Sequence, residues 1–135
     1  MTEADRRPAI AATAADAADP RLRSRTYAVP FEAVWRASLR LAGGGLRGWS
    51  THSADDHDGV IRASASSLLG GEHDIEIRIG LDADAQTVVD ATATVRSGRD
   101  FGRARRRLQR FLLALDRATA APRSTAGPQL DRFAR

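Results

Sequence analysis

The sequence predicts one small α+β domain, in which a twisted, mainly antiparallel sheet of five strands carries two helices on one face. Two observations predict this class: several segments alternate apolar and polar residues, as strands do, and two amphipathic helical segments flank most of them. The predicted order is β-α-β-β-β-β-α within residues 25–118. Residues 1–24, a mixture of Ala, Asp and Arg, are expected to form a disordered arm, and residues 119–135 a flexible tail.

The first strand and helix follow each other closely. Residues 25–29 are predicted to form a short strand, after which Pro30 suits the first turn of a helix because its φ angle is already helical. Apolar residues then recur every three or four positions up to Ala42, which indicates a helix with one buried face. The run Gly43-Gly44-Gly45 is predicted to end it, since glycine readily adopts the left-handed conformation after a helix.

Four further strands are predicted at residues 49–53, 59–66, 73–81 and 87–96. The third shows the clearest alternation, with Ile75, Ile77 and Ile79 on one side and charged residues on the other. The next strand places the small residues Ala91 and Ala93 on its apolar side. These alanines leave room for large side chains from the helices.

The last helix is predicted over residues 102–118. Leu108, Phe111 and Leu115 belong to an apolar stripe about 80° wide that is expected to pack on the sheet. Four arginines gather on the opposite side of this helix: Arg103, Arg106, Arg110 and Arg117.

Composition excludes several kinds of chemistry. All 21 basic residues are arginines, so no lysine can form a Schiff base or serve a P-loop. The absence of cysteine excludes disulfides, thiol nucleophiles and thiolate metal sites. The chain has no apolar run of membrane-spanning length and does not start like a signal peptide, so a cytoplasmic location is expected.

Short motifs throughout the core carry a family resemblance. They are Arg-Thr-Tyr-Ala-Val-Pro (25–30), Val-Trp (34–35), Gly-Trp (48–49), Gly-Val-Ile-Arg-Ala (59–63), His-Asp-Ile-Glu-Ile-Arg-Ile (73–79), Val-Arg-Ser (95–97), Asp-Phe-Gly (100–102) and Arg-Leu-Gln-Arg-Phe-Leu (107–112). In this order they resemble the uncharacterised bacterial and plastid family of domains of unknown function numbered fourteen ninety-nine. The resemblance implies a small α+β domain and no established chemistry. The family pattern has a longer polar segment before the last helix, which here contracts to residues 96–102, and Ala104 stands where that pattern has asparagine.

The segment before the last helix is the first candidate site. Arg96, Ser97, Arg99 and Asp100 join a strand end to a helix start, where two guanidinium groups and free helix N–H groups could hold a carboxylate or phosphate. The structural alternative is that Asp100 caps the helix with Arg96 or Arg99 as its partner. The sequence leaves both open.

The arginine face of the last helix is the second candidate. Residues 96–117 carry a net charge of +6, whereas residues 51–90 carry −7. A basic helix face could lie on an anionic lipid surface or bind an anionic small molecule, or it could simply be solvated. The lack of aromatic residues on this face argues against nucleic acid.

Histidine gives a weaker signal. His52, Asp55, His57 and two further aspartates crowd one predicted turn, but an irregular turn fixes no ligand geometry, so neither a metal site nor any cofactor is predicted. His73 stands at a strand start without an evident partner.

A pocket between sheet and helices is the last candidate. The order of elements resembles a trimmed helix-grip fold, in which an apolar cavity would be lined by Trp35, Trp49, Ala91, Ala93 and Phe111. Alternatively, these aromatic side chains fill the space themselves.

Function can be narrowed only by elimination. A non-enzymatic binding or accessory module is the leading hypothesis, because no nucleophile and base are evident together. The alternatives are an anion- or membrane-surface-associating module, a binder of a hydrophobic ligand and, least favoured, an enzyme using the segment 96–100. Exposed edge strands also make a homodimer possible.

Overall fold

A computed structural model describes residues 9–68, 71–100 and 102–134, and for residues 121–134 it describes the backbone alone. Within these ranges the strands are β1 (Ala11–Ala12), β2 (Arg25–Tyr27), β3 (Trp49–Asp55), β4 (Val60–Ser66), β5 (Glu72–Leu81) and β6 (Thr87–Ser97), and the helices are α1 (Phe31–Arg40) and α2 (Arg103–Ala134). The predicted α+β class is confirmed, with one strand more than predicted.

The sheet is open and antiparallel. Its order is β1-β6-β5-β4-β3, and β2 pairs with β6 further along the edge that β1 also occupies. A register shift between Thr51 and Ser53 interrupts the pairing of β3 with β4 at the other edge. The three long central strands thereby form the platform on which the helices pack.

Strand register explains why isoleucine and alanine suit each other on the covered face. Ile77 lies between Ile61 of β4 and Ala91 of β6, and Ile75 lies between two alanines, Ala63 and Ala93. All of these side chains are buried. The predicted alternation therefore gives the correct face, and the small residues on β6 make room for the helices.

Helix α1 begins directly after Pro30 and buries the face that carries Val34, Trp35 and Ser38. It continues into a π turn over Leu41–Gly45, where Gly44 has a φ angle of 126°. Such a positive φ favours glycine, so the glycine run ends the helix as the sequence predicts.

Helix α2 packs its apolar stripe across the sheet. The side chains of this stripe have no exposed surface: Ala104, Leu108, Phe111, Leu112 and Leu115. The helix is longer than the predicted 102–118 segment and extends through most of the predicted tail. Within the described part of the chain, neither helix is long and apolar enough to cross a membrane.

Residues 9–24 follow a defined path, which differs from the disordered arm predicted for residues 1–24. Strand β1 pairs with β6, and Leu22 is buried in the core. The hydroxyls of Thr13 and Ser24 both donate to Asp90 of β6. These contacts with the rest of the domain hold the segment in place, although it has few large apolar side chains of its own. Residues 1–8 lie outside the described residues.

Candidate functional site

The described parts of three chain connections meet at one end of the sheet: residues 46–48 before β3, residues 67–68 and 71 between β4 and β5, and residues 98–100 and 102 before α2. The N–H of Ser66, the last residue of β4, donates to the carbonyl of Gly48 at 3.0 Å, which joins the end of β4 to the connection before β3. A Cβ on Gly71 would lie 3.1 Å from Nη1 of Arg103 and 3.3 Å from the carbonyl oxygen of Arg99. Such close approach, at a φ angle of 85°, favours glycine and brings the start of α2 against the β4–β5 connection.

A cleft of about 870 Å³ lies between these connections and α2. Its lining combines apolar, hydroxyl and cationic side chains, and none of the described residues that line it is acidic: Leu46, Arg47, Gly48, Trp49, Ser66, Ser67, Leu68, Arg103, Arg107 and Arg110. Four guanidinium groups from two parts of the chain thus border one space. We call it the arginine cleft.

Arg107 is held by three hydrogen bonds. Its Nη1 donates to the carbonyl of Ala65 at 2.8 Å and to Nδ1 of His73, and its Nη2 donates to the carbonyl of Gly71 at 3.4 Å. A guanidinium group has five N–H donors. Among the described residues the Nε–H and one Nη2–H of Arg107 have no partner, so this fixed group retains two donors.

His73 links Arg107 to the start of α2. Its ring is fully buried, and Nε2 lies 2.9 Å from Oδ1 of Asp100. Because Arg107 can only donate, Nδ1 of His73 must accept. The hydrogen-bond network therefore assigns the ring proton of His73 to Nε2. Burial lowers the pKa of His73, and the nearby charge of Arg107 lowers it further against the opposing effect of Asp100. The ring is therefore neutral at pH 7.

Asp100 caps α2 while it accepts from His73. Its carboxylate oxygens accept from the backbone N–H groups of Gly102 at 2.8 Å and Ala104 at 2.9 Å. Burial by itself would raise the pKa of Asp100, but the hydrogen bonds from Ala104, Gly102 and His73 outweigh it and lower the pKa. A charged cap also suits the positive end of the helix dipole.

The Asp100–His73 pair has the connectivity of a carboxylate that orients a general base, but its surroundings do not suit that role. A catalytic imidazole needs one ring nitrogen accessible to substrate. Here the second nitrogen is occupied by Arg107 and the ring is buried. The chain Asp100–His73–Arg107 therefore holds a guanidinium group at the cleft.

The structure separates the residues of the predicted 96–100 site. Asp100 caps α2, as one of the two interpretations has it, but its partner is His73 and not Arg96 or Arg99. Arg96 lies 3.6 Å from a carboxylate oxygen of Glu72 and of Asp74, on exposed strand surface. Ser97 and Arg99 are also exposed.

The predicted arginine face divides into two groups. Arg103 and Arg110 line the cleft, whereas Arg106 and Arg117 are exposed and do not line it. Sequence reasoning missed Arg47 and Arg107 as candidate site residues. A histidine in register with the buried isoleucines of β5 is the signal that could have led to Arg107, because a buried imidazole needs partners for both nitrogens.

The five residues of the predicted apolar pocket all lie in the core. Phe111 stacks on Trp49 with ring centroids 5.7 Å apart, and Trp35 stacks on Phe31 at 5.6 Å. Ala91 and Ala93 are buried beside Ile77 and Ile75 as described above. This arrangement supports the interpretation in which aromatic side chains fill the space.

The histidine-rich turn is organised by a hydrogen-bonded aspartate. Oδ1 of Asp55 accepts from the backbone N–H groups of His57 and Asp58 at 3.0 and 3.2 Å. Among the residues that the structure describes, no three His, Asp or Glu side chains converge in a way that could hold a metal ion.

A family model described as a protein of unknown function, DUF1499, matches residues 2–115, well over half of the chain. The chain belongs to this family. The resemblance of the core motifs is thereby confirmed, and the match includes all six strands, α1 and every residue that lines the arginine cleft. A search of curated proteins found no match for this DUF1499 chain.

Proposed function

We propose that this DUF1499 chain is a non-enzymatic binding module that holds a small anionic ligand in the arginine cleft. One observation carries the proposal: Arg47, Arg103, Arg107 and Arg110 line a single cleft in which no described lining residue is acidic, and one of them is fixed by buried partners. Planar guanidinium groups match the geometry of carboxylate and phosphate oxygens and bind them through paired hydrogen bonds.

The remaining walls indicate what kind of anion fits. Ser66 and Ser67 supply hydroxyl groups, and Leu46, Trp49 and Leu68 supply apolar surface. A site with a few polar anchors and apolar walls is typical of small-molecule pockets, and about 870 Å³ lies within their usual range. The ligand we propose therefore combines a phosphate or carboxylate with an apolar group.

The fixed position of Arg107 supports binding over a purely solvated surface. A free surface arginine loses side-chain entropy when it binds an anion, whereas a guanidinium already held by Ala65 and His73 loses little. Arg107 also ties the β4–β5 connection to α2, so it has a structural role as well. Variants at Arg47 and Arg110, which make no such described ties, separate the two roles.

Isothermal titration calorimetry with phenyl phosphate tests the proposal. We expect the wild-type chain to bind, and Arg47→Gln and Arg110→Gln each to weaken binding by about tenfold, since each removes a charge-assisted hydrogen bond. The matched control is Arg117→Gln, which removes an exposed arginine of the same helix outside the cleft.

Two outcomes would overturn the proposal. One is the absence of a binding signal for phenyl phosphate, benzoate and inorganic phosphate with the wild-type chain. The other is an equal loss of affinity in Arg117→Gln and Arg110→Gln, which would show attraction to net charge without a defined site.

A further inference from the structure

A fully exposed leucine stands at the rim of the arginine cleft. Leu68 has a relative exposure of 104% and lines the cleft beside its arginines. Single exposed leucines are common on protein surfaces. Leu81, for comparison, is 60% exposed but lies at the far end of β5. Leu68 differs from Leu81 in its surroundings, because it lies at the edge of a cleft that is lined by arginines.

The same end of the domain concentrates positive charge. Six arginines lie on or beside the connections that form it: Arg47, Arg99, Arg103, Arg106, Arg107 and Arg110. Two acidic side chains, Asp100 and Glu72, lie close enough to act on the charge of Arg107, and both have other partners as well. Asp100 caps α2 and accepts from His73, and Glu72 lies 3.6 Å from Arg96.

The opposite end of the sheet is acidic. Five aspartates lie in or beside the β3–β4 and β5–β6 turns: Asp55, Asp56, Asp58, Asp82 and Asp84. The domain is therefore charged with opposite signs at its two ends. Such a separation orients a protein on an anionic surface, because the basic end is attracted while the acidic end is repelled.

From this arrangement we infer that the arginine-rich end docks on an anionic bilayer, with Leu68 inserted among the lipids and a lipid phosphate headgroup in the arginine cleft. The inference rests on the proposed function and names the source of its anion. A headgroup supplies the phosphate, and its neighbouring acyl region accepts the leucine side chain. Peripheral proteins gain affinity from these two contributions together, buried apolar surface and attraction to anionic lipid.

Vesicle co-sedimentation tests the inference with the full chain. The vesicles contain either phosphatidylcholine alone or equal parts phosphatidylglycerol and phosphatidylcholine, at low salt. We expect binding to the mixed vesicles only, with release when the salt concentration is raised to about 0.5 M, because exposed charges are then screened. Circular dichroism establishes that each variant is folded.

Two variants separate the contributions. Leu68→Ser should weaken partitioning onto the mixed vesicles about tenfold, as expected for loss of one inserted leucine. Arg110→Gln should weaken it about fivefold, since each arginine near such a surface contributes about that factor. The matched controls are Leu81→Ser and Arg117→Gln, an exposed leucine at the far end and an exposed arginine outside the cleft, and both should bind like wild type.

Soluble phosphate distinguishes failure of this inference from failure of the proposed function. Leu68→Ser should still bind phenyl phosphate like wild type, whereas Arg110→Gln should bind both probes weakly. A wild-type chain that binds phenyl phosphate but not the mixed vesicles would overturn the inference and leave the cleft as a site for a soluble anion. If Arg117→Gln weakened vesicle binding as much as Arg110→Gln, the docking surface would be the helix face and the inference would be wrong. Absence of binding to both probes would overturn both proposals.

Discussion

Replacing Asp100 by alanine should destabilise the domain more than its partly exposed position suggests. The side chain is 20% exposed, yet it accepts hydrogen bonds from two backbone N–H groups at the start of α2 and from buried His73. Loss of a helix cap costs about 1 kcal/mol. A buried His73 Nε2–H left without an acceptor adds about 1–3 kcal/mol. We therefore expect a loss of about 2–4 kcal/mol in the free energy of unfolding for Asp100→Ala.

Urea denaturation followed by circular dichroism and tryptophan fluorescence measures this loss. Asp100→Asn should cost less, because its amide oxygen can still accept from His73 and from one backbone N–H. The matched control is Arg96→Ala on the preceding strand, whose exposed side chain lies 3.6 Å from its carboxylate partners. Surface ion pairs of this kind contribute little, so we expect a change below about 0.5 kcal/mol.

An Asp100→Ala variant within about 0.5 kcal/mol of wild type would refute the reasoning, since neither the cap nor the buried imidazole could then have the described role. Equal losses for Asp100→Ala and Arg96→Ala would refute it as well. They would place the stabilisation in the general charge balance of the segment.

Three further predictions follow from single contacts. Phe111→Ala should lower the free energy of unfolding by about 3–5 kcal/mol. It should also shift the fluorescence emission of Trp49, on which Phe111 stacks, to longer wavelength. Unchanged emission would contradict the stacking. Burial raises the pKa of Tyr27, whose hydroxyl donates to Asp116 at 2.7 Å. The stability that this single tyrosine contributes is therefore complete below pH 10 and is lost as pH rises above that value. Ultraviolet titration should detect phenolate only as the protein unfolds, and ionisation near pH 10 in the folded state would contradict this prediction. Burial lowers the pKa of His73 below 6.5 in the folded state. Its contribution to stability is therefore complete above pH 6.5 and is lost as pH falls through the lower pKa of the folded state. Urea midpoints should decline over this pH range in wild type but less in His73→Gln, and parallel declines in the two proteins would contradict the prediction.

Elements with a regular local pattern could be predicted from the sequence. The alternation at Ile75, Ile77 and Ile79 predicts both a strand and its buried face, and the glycine run predicts the end of α1. Strand β1 could not be predicted, because Ala11–Ala12 has no pattern of its own and becomes a strand only by pairing with β6, about 80 residues away.

The arginine cleft depends on long-range contacts and was therefore missed. Asp100 follows His73 by 27 residues and Arg107 follows it by 34, so no short motif joins the three. Arg47 precedes β3, whereas α2 follows β6, so the four long strands separate them along the chain. Local analysis could predict that Asp100 caps a helix, since capping involves neighbours in the chain, but it could not predict the histidine that shares its carboxylate.

The central claim is that the arginine cleft binds an anion through its own guanidinium groups. Titration of isotope-labelled protein with phenyl phosphate, followed by NMR of the arginine Nε–H groups, tests it directly. We expect the Nε–H signals of Arg47, Arg107 and Arg110 to shift with one common saturation curve, while those of Arg36 and Arg117 stay in place. Shifts of equal size at all exposed arginines, or no shift at Arg107, would contradict the account.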